Sequence, residues 1–336
     1  MILGGLYGHV KKLKTYKMEF KHNPEITKHE RHFISDESKI KASLCICLWN
    51  MEHLLIRSIE TYCKQDMPKE DWELIIVSDA SMGDITPILE FAKGKINLQY
   101  IRLDHNYGMR GNTIAFNTAF ANANGHIIME TTAETMFTTD MVRVMYEPHL
   151  TQDRVFVAVK TYNLTNELQL QIDSVDWRED LMNIKNLPDF NNPWTMNNFA
   201  NDNFGTHQTC SIKKEVFYGI MPQGGFPLFA DYGSEDPNYL DRRKRNGVKG
   251  ITIMEPMAIH QWHPPFQYWM AKGYAPHFNK NAHTTSNFMN DTSGEVPPGG
   301  TRYIWDGGST EKLSQEQIID MASWDDRVRA TGCKLV

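Results

Sequence analysis

Cysteine is scarce and unpaired in this sequence. Only five of 336 residues are cysteine (Cys45, Cys47, Cys63, Cys210 and Cys333), and no two form a CxxC spacing. An odd count without that spacing argues against a disulfide framework. Cys45 and Cys47 alternate within an apolar run, so they are expected on one side of a strand as small buried hydrophobes, in a protein of a reducing, cytoplasmic setting. Long apolar runs are also missing. No uninterrupted stretch is long enough to span a bilayer, and the opening MILGGLY is too short for the apolar core of a secretory signal and has no basic segment before it. Positive charge is in short supply, with 35 Lys and Arg against 41 Asp and Glu and a formal net charge of -6. That balance excludes a surface that coats nucleic acid indiscriminately. Internal repeats and low-complexity tracts are absent too.

What is present is ordinary for a folded chain: 41% apolar and 23% charged residues, which excludes disorder and fibrous classes. The length can bury a sizeable core, in one large α/β domain or two smaller ones sharing a cleft; we expect one main globule with additions. Basic charge is concentrated at Lys11, Lys12, Lys14, Lys17, Lys21, Lys28 and Arg31. Residues 1–42 therefore read as a basic extension, either a solvated tail or a contact for an anionic acceptor or membrane.

From Ser43 onward, short apolar runs alternate with helical patterns, the signature of a mostly parallel sheet. SLCICLW, WELIIVS, LQYIRL and HIIM read as successive strands. Between them, Leu55, Ile59 and Tyr62 share one helical face, Thr86-Pro87 offers a helix cap and first-turn proline, and Ala115, Ala119 and Ala123 recur every fourth residue until Gly125 stops the helix. Ligands of open α/β sheets bind beyond the carboxyl ends of the strands. Three polar clusters fall at such ends and should converge: Asn50, Ser78-Asp79-Ala80-Ser81, and Thr132-Ala133-Glu134. VFVAV and ITIM read as later strands, separated by a loop-rich segment with Trp194, Asn198, Asn201, Asp202, Asn203, Phe204 and His207, either a binding lid or a linker of the kind found in ordinary loops. We divide the chain into a first segment at 43–150, a second at 151–263, and a proline- and glycine-bearing appendage at 264–336.

The order of strand, helix, VSDAS, Asn106-x-Gly108, alanine-rich helix ending Ala123-Asn124-Gly125, and strand followed by TAE resembles the nucleotide-sugar half of a GT-A glycosyltransferase of the family-2 type. Downstream, GGFPLFADYGSEDPNYLDRRKRNG resembles the acceptor half of that family, in the manner of polypeptide N-acetylgalactosaminyltransferases and chondroitin-polymerase-type enzymes. The resemblance spans roughly Ser43 to His263. It implies a Rossmann-like α/β sheet flanked by helices, and transfer of a hexosyl or pentosyl group from a UDP-sugar to an acceptor hydroxyl.

That chemistry calls for a divalent cation to neutralise the leaving diphosphate and a base to take the proton of the attacking hydroxyl. The family's metal motif is Asp-x-Asp; here Thr132 falls on the first acid and Glu134 on the last. The resemblance therefore implies Glu134 as a metal ligand, with Thr132 hydrogen-bonding a ribose or a bound water. By analogy with the polypeptide-modifying relatives, His260, 25 residues after Glu235, completes the coordination, and His263 is the fallback; the alternative for His260 is a hydrogen-bonded core histidine. A mixed imidazole and oxygen set suits Mn²⁺ better than Mg²⁺ or Ca²⁺. Asp236 matches the catalytic base of inverting members, with Glu235 as its neighbouring acid, or else both simply begin a helix. Asp79 matches the carboxylate that accepts the uracil N3 proton. Asn50 lies in the segment lining the base, and Trp49 either stacks on that base or is buried; the family tends to carry an Arg just before the residue matching Asn117, where this chain has Phe116, so Arg110 is the nearest cation for the diphosphate or else a surface residue.

Two other readings compete. One is a non-catalytic nucleotide- or sugar-binding relative, suggested by Thr132 standing where an acid is expected. The other, a sugar nucleotidyltransferase, requires a glycine-rich phosphate loop after the first strand, and Asn50-Met51-Glu52-His53 contains no glycine. The sugar transferred, its acceptor (glycan, protein or modified nucleic acid) and the oligomeric state are left open by the residues.

Overall fold

A computed structural model describes residues 24–81, 83–104, 111–137, 140–164, 168–169, 209–221, 225–226 and 235–263. Arg110, the expected acceptor loop at 194–207 and the appendage at 264–336 lie outside the described residues. In chain order the elements are β1 (Ile26–His32), β2 (Ala42–Leu48), α1 (Glu52–Cys63), β3 (Trp72–Ser78), α2 (Thr86–Ala92), β4 (Asn97–Leu103), α3 (Gly111–Asn122), β5 (Ile127–Thr132), β6 (Thr135–Phe137), α4 (Met141–Tyr146), α5 (Pro148–Thr151), β7 (Val155–Asn163), β8 (Thr209–Lys213), α6 (Lys214–Ile220), α7 (Glu235–Arg245) and β9 (Lys249–His260).

The strands form one nine-stranded sheet in the order β1-β4-β3-β2-β5-β8-β7-β9-β6. The contiguous block β4-β3-β2-β5 is parallel, as expected of strands joined by helical crossovers. β3 is buried along its whole length, as a central strand covered on both faces must be. Alternation along the strands divides the interior into two layers. Leu44, Ile46, Leu48, Leu74 and Ile76 enter one core together with Leu55, Ile59 and Tyr62 of α1. Cys45, Ile75 and Val77 enter the other with Ala115, Ala119 and Phe120 of α3, and Cys47 packs against it. The shared face of the two cysteines and the three-residue face of α1 thus follow directly from periods of two and 3.6. This is the α/β class that the resemblance implied.

Several local features differ from the sequence reading. β1 pairs antiparallel with β4 although it lies within the segment read as an extension; ITKHERH is mostly exposed, so it carries no apolar period. β8, TCSIK, is antiparallel to both β5 and β7 and makes the sheet mixed. Thr86 begins α2 and Ile85 stands at its N-cap without a side-chain capping bond, while Asp84 Oδ1 accepts a hydrogen bond from Thr86 N at 2.9 Å. Gly125 lies beyond the end of α3, and a Cβ there would sit 2.6 Å from the carbonyl carbon of Ala42; what it permits is close backbone approach to β2. β5 extends through Thr132, which leaves Glu130 within the strand, buried and paired with Cys210 of β8.

Register sets the site. Leu48 pairs with Ser78, and Cys47 with both Val77 and Thr132, so β2, β3 and β5 end at one level. After β5 the chain turns at Ala133-Glu134 into β6, which runs antiparallel to β9 with Thr135 opposite His260. A glutamate and a histidine distant in sequence are neighbours because a three-residue strand closes that edge of the sheet.

Candidate active site

At the ends of β2 and β3 the backbone is strained in two places. Asn50 (φ 53°) and Ala80 (φ 52°) both adopt left-handed geometry, which costs a non-glycine residue about 1 kcal/mol or more. A compact hydrogen-bond set holds them. Asp79 N donates to Leu48 O at 2.9 Å, Asn50 N donates to Ser81 Oγ at 2.6 Å, Ser81 Oγ donates to Leu48 O at 3.4 Å, and Ser81 N donates to Ser78 Oγ at 3.1 Å. Arg102, from β4, donates to Ser81 O at 2.6 Å. Ser81 belongs to the polar cluster expected at the end of β3, whereas Arg102, inside β4, was not singled out by sequence reasoning. Asp79 is buried, while Trp49 and Asn50 are half-buried; Trp49 is therefore partly open to the strand ends.

On the β5 side, Glu134, His260 and His263 come together. Glu134 Oε1 lies 3.0 Å from His260 Nε2 and 3.6 Å from His263 Nε2. The three ligand atoms lie within 4.8 Å of one another, and among the described residues they form the group that a single ion could hold. Burial pushes the Glu134 carboxyl up; hydrogen bonds from the two imidazoles, reinforced by their charge, outweigh it and hold the carboxyl well below the usual carboxylate range. Ligand bonds of about 2.0–2.2 Å at tetrahedral or octahedral angles place donor atoms about 3.0–3.5 Å apart; the 3.0 Å distance from Glu134 to His260 falls in that range and the 3.6 Å distance to His263 just beyond it. The donor set therefore fits a divalent transition metal.

Cys47 lies between the two ends, paired with Val77 on one side and Thr132 on the other. Its thiol is pushed well up by burial first, then by the charges of Asp79 and Glu134, so both carboxylates lie within electrostatic reach of one strand-end residue. Thr132 is half-buried and its hydroxyl is 2.7 Å from that of Thr135. Tyr62 of α1 donates to Thr135 O at 2.6 Å and stabilises the turn from below.

Glu235 and Asp236 open α7; their side chains, like Arg110, lie outside the described part. The turn that leads toward them is anchored. Asn117 of α3 grips the backbone of Phe226 from both sides, donating from Nδ2 to Phe226 O at 2.9 Å and accepting from Phe226 N at 2.7 Å. A Cβ on Gly225 would collide with the Asn117 side chain, which is why a glycine precedes Phe226. The signal for this clamp was the GGF turn itself, though its partner in α3 was not legible.

A family model described as glycosyl transferase family 2 matches residues 43–212, just over half of the chain. Among curated proteins, poly(ribitol-phosphate) beta-N-acetylglucosaminyltransferase TarS from two Staphylococcus aureus strains is 29% identical over 90 residues, 27% of this chain and 15% of the relative; the matched segment thus spans a small part of those relatives. Similar solved structures include S. aureus TarS in complex with UDP-GlcNAc (14% identity, TM-score 0.49, covering 67% of this chain and 60% of that one). Another is mannosyltransferase PcManGT from Pyrobaculum calidifontis in complex with GDP-Man and Mn2+ (17% identity, TM-score 0.46, covering 68% and 59%).

Proposed function

Since the chain belongs to glycosyl transferase family 2, we propose that it transfers a sugar from a UDP-sugar to an acceptor hydroxyl with inversion of configuration, assisted by a divalent cation. The observation that carries this reading is the cluster of Glu134, His260 and His263 beside the strand ends that hold Asn50 and Asp79. In it, Glu134 and the two imidazoles hold the cation, Mn²⁺ in preference to Mg²⁺ because two of the three donors are nitrogen. A cation held there supplies positive charge for the departing diphosphate.

The remaining roles belong to the chain's own groups. Asp79 accepts the uracil N3 proton, Asn50 and Trp49 line the base, Thr132 meets the ribose, and Arg110 approaches the diphosphate. Asp236 takes the proton from the incoming hydroxyl as general base, with Glu235 beside it. The curated relatives are named for N-acetylglucosaminyl transfer to a ribitol-phosphate polymer, which makes UDP-GlcNAc the first donor to test and a polyanion the first acceptor class.

A second reading, a nucleotide-binding relative without catalysis, draws on one observation: Glu134 is the sole carboxylate of the described ligand group. One experiment separates the two. UDP release is measured across common UDP-sugars with Mn²⁺ for wild type, Glu134→Ala and Asp236→Asn. Release by wild type that falls in both variants supports the transferase; equal release by all three refutes the assigned site. UDP binding without turnover and without dependence on Mn²⁺ supports the binding relative.

A further inference from the structure

We infer that Gln261 is a positioning residue for the Glu134, His260 and His263 site, setting the carboxylate against the two imidazoles before any nucleotide arrives. The inference rests on the metal reading above and adds a residue that touches no ligand atom.

Gln261 is fully buried and stands in sequence between the two histidines. Its backbone N–H donates to Glu134 O at 3.1 Å, extending the β6-β9 ladder by one residue. Its side-chain amide donates to the same carbonyl at 3.0 Å. Two donors occupy both lone pairs of Glu134 O, so the peptide that carries the carboxylate cannot rotate. The same amide nitrogen reaches α1, donating to Leu54 O at 3.0 Å, with Ser58 Oγ at 3.3 Å. Its Oε1 accepts from Arg57, also buried, at 3.4 Å. One side chain thereby joins three things: the turn bearing Glu134, the strand end bearing both imidazoles, and a helix that begins two residues after Asn50. Ligand groups must be held within a few tenths of an ångström for tight metal binding, and residues that orient ligands typically contribute 10–100-fold in affinity.

The test uses the full chain and Mn²⁺ alone, titrated calorimetrically without nucleotide, with UDP binding in chelator measured in parallel. Gln261→Met keeps the volume but removes both donor and acceptor; Gln261→Glu keeps the shape but faces a carboxylate toward two carbonyls. Both are expected to weaken Mn²⁺ binding roughly 10- to 100-fold, while UDP affinity in chelator stays within about twofold of wild type. A simple loss of folding would lower both. Ser58→Ala removes only one partner of the Gln261 amide, and about threefold weaker Mn²⁺ binding is expected; it decides the matter if the Gln261 variants do not fold. A folded Gln261→Met with wild-type Mn²⁺ affinity, or an unchanged Ser58→Ala where Gln261→Met fails to fold, overturns the inference alone. Wild type that takes up no Mn²⁺ overturns the metal reading and this inference with it.

Discussion

The two ends of the site are built in opposite ways. At the β2-β3 end, Asn50, Asp79 and Ser81 are positioned by one backbone hydrogen bond between adjacent parallel strands and by the Ser81 hydroxyl, so local sequence and register suffice. At the β5-β9 end, Glu134 and His260 are 126 residues apart and meet only because β6 pairs with β9 at the far edge of the sheet. A locally built end should survive partial loosening of the fold, whereas an end assembled from distant segments should fail first.

The largest effect is expected at Glu134. Glu134→Ala removes the carboxylate of the ligand group found among the described residues and should lower sugar transfer about a thousandfold or more, since charge stabilisation of this kind is worth several kcal/mol. UDP affinity in chelator should hold, because the β2-β3 end does not depend on it. If UDP affinity falls in parallel, the two ends are not separately built. Kinetics with the best donor, combined with UDP titration in chelator, provides the check.

Next in size is a pH effect on the edge that carries the histidines. His149 of α5 is buried with Nε2 2.8 Å from Ser211 Oγ of β8, next to the strands that lead to β9. Burial first, then the charges of Lys213 and His126, push its imidazole down from 6.5 to about 4. As the folded value is depressed, the unfolded chain takes up the proton first as pH falls. Stability should therefore be intact above pH 6.5, decline between 6.5 and about 4, and lose about 3 kcal/mol in total. Urea melts across that range should show the slope in wild type and a flatter profile in His149→Gln. Equal slopes would exclude His149 as the group responsible.

The clamp of Asn117 on Phe226 comes third. Asn117→Ala leaves the buried N–H and C=O of Phe226 without their present partners and should cost about 2 kcal/mol. Turnover should suffer more than UDP binding, because the turn leads toward α7 while the strand ends are untouched. A denaturation midpoint identical to wild type would show that the clamp carries no stability.

How much of this was visible beforehand follows the same division. Periodicity disclosed β2 to β5, the face of α1 and the small-residue face of α3, because each depends on neighbours within one turn or two residues. Asn50 and Asp79 were legible as residues just past strand ends. β1 was not, because its residues are largely exposed and polar, and its pairing depends on β4. Glu130, four residues before Glu134 and equally acidic, lies inside β5 because the strand continues three residues past the apolar run that ends at Met129. His260 could be proposed only by resemblance. Gln261 gave no signal, since its main partner, Glu134, is 127 residues earlier.

The smallest expected effect tests the locally built end directly. Ser81 Oγ accepts from Asn50 N and donates to Leu48 O, while Ser81 N bonds Ser78. Ser81→Ala deletes the two hydroxyl bonds but keeps the backbone bonds to Ser78 Oγ and Arg102. Asn50 would then be free to leave its left-handed geometry, a relaxation worth about 1 kcal/mol that nucleotide binding must reverse. UDP affinity in chelator should weaken about fivefold, and Mn²⁺ affinity without nucleotide should not change. The opposite pattern, with Mn²⁺ weakened and UDP retained, would mean that strain at Asn50 serves the distant end, and the division between a local and a long-range end would have to be abandoned.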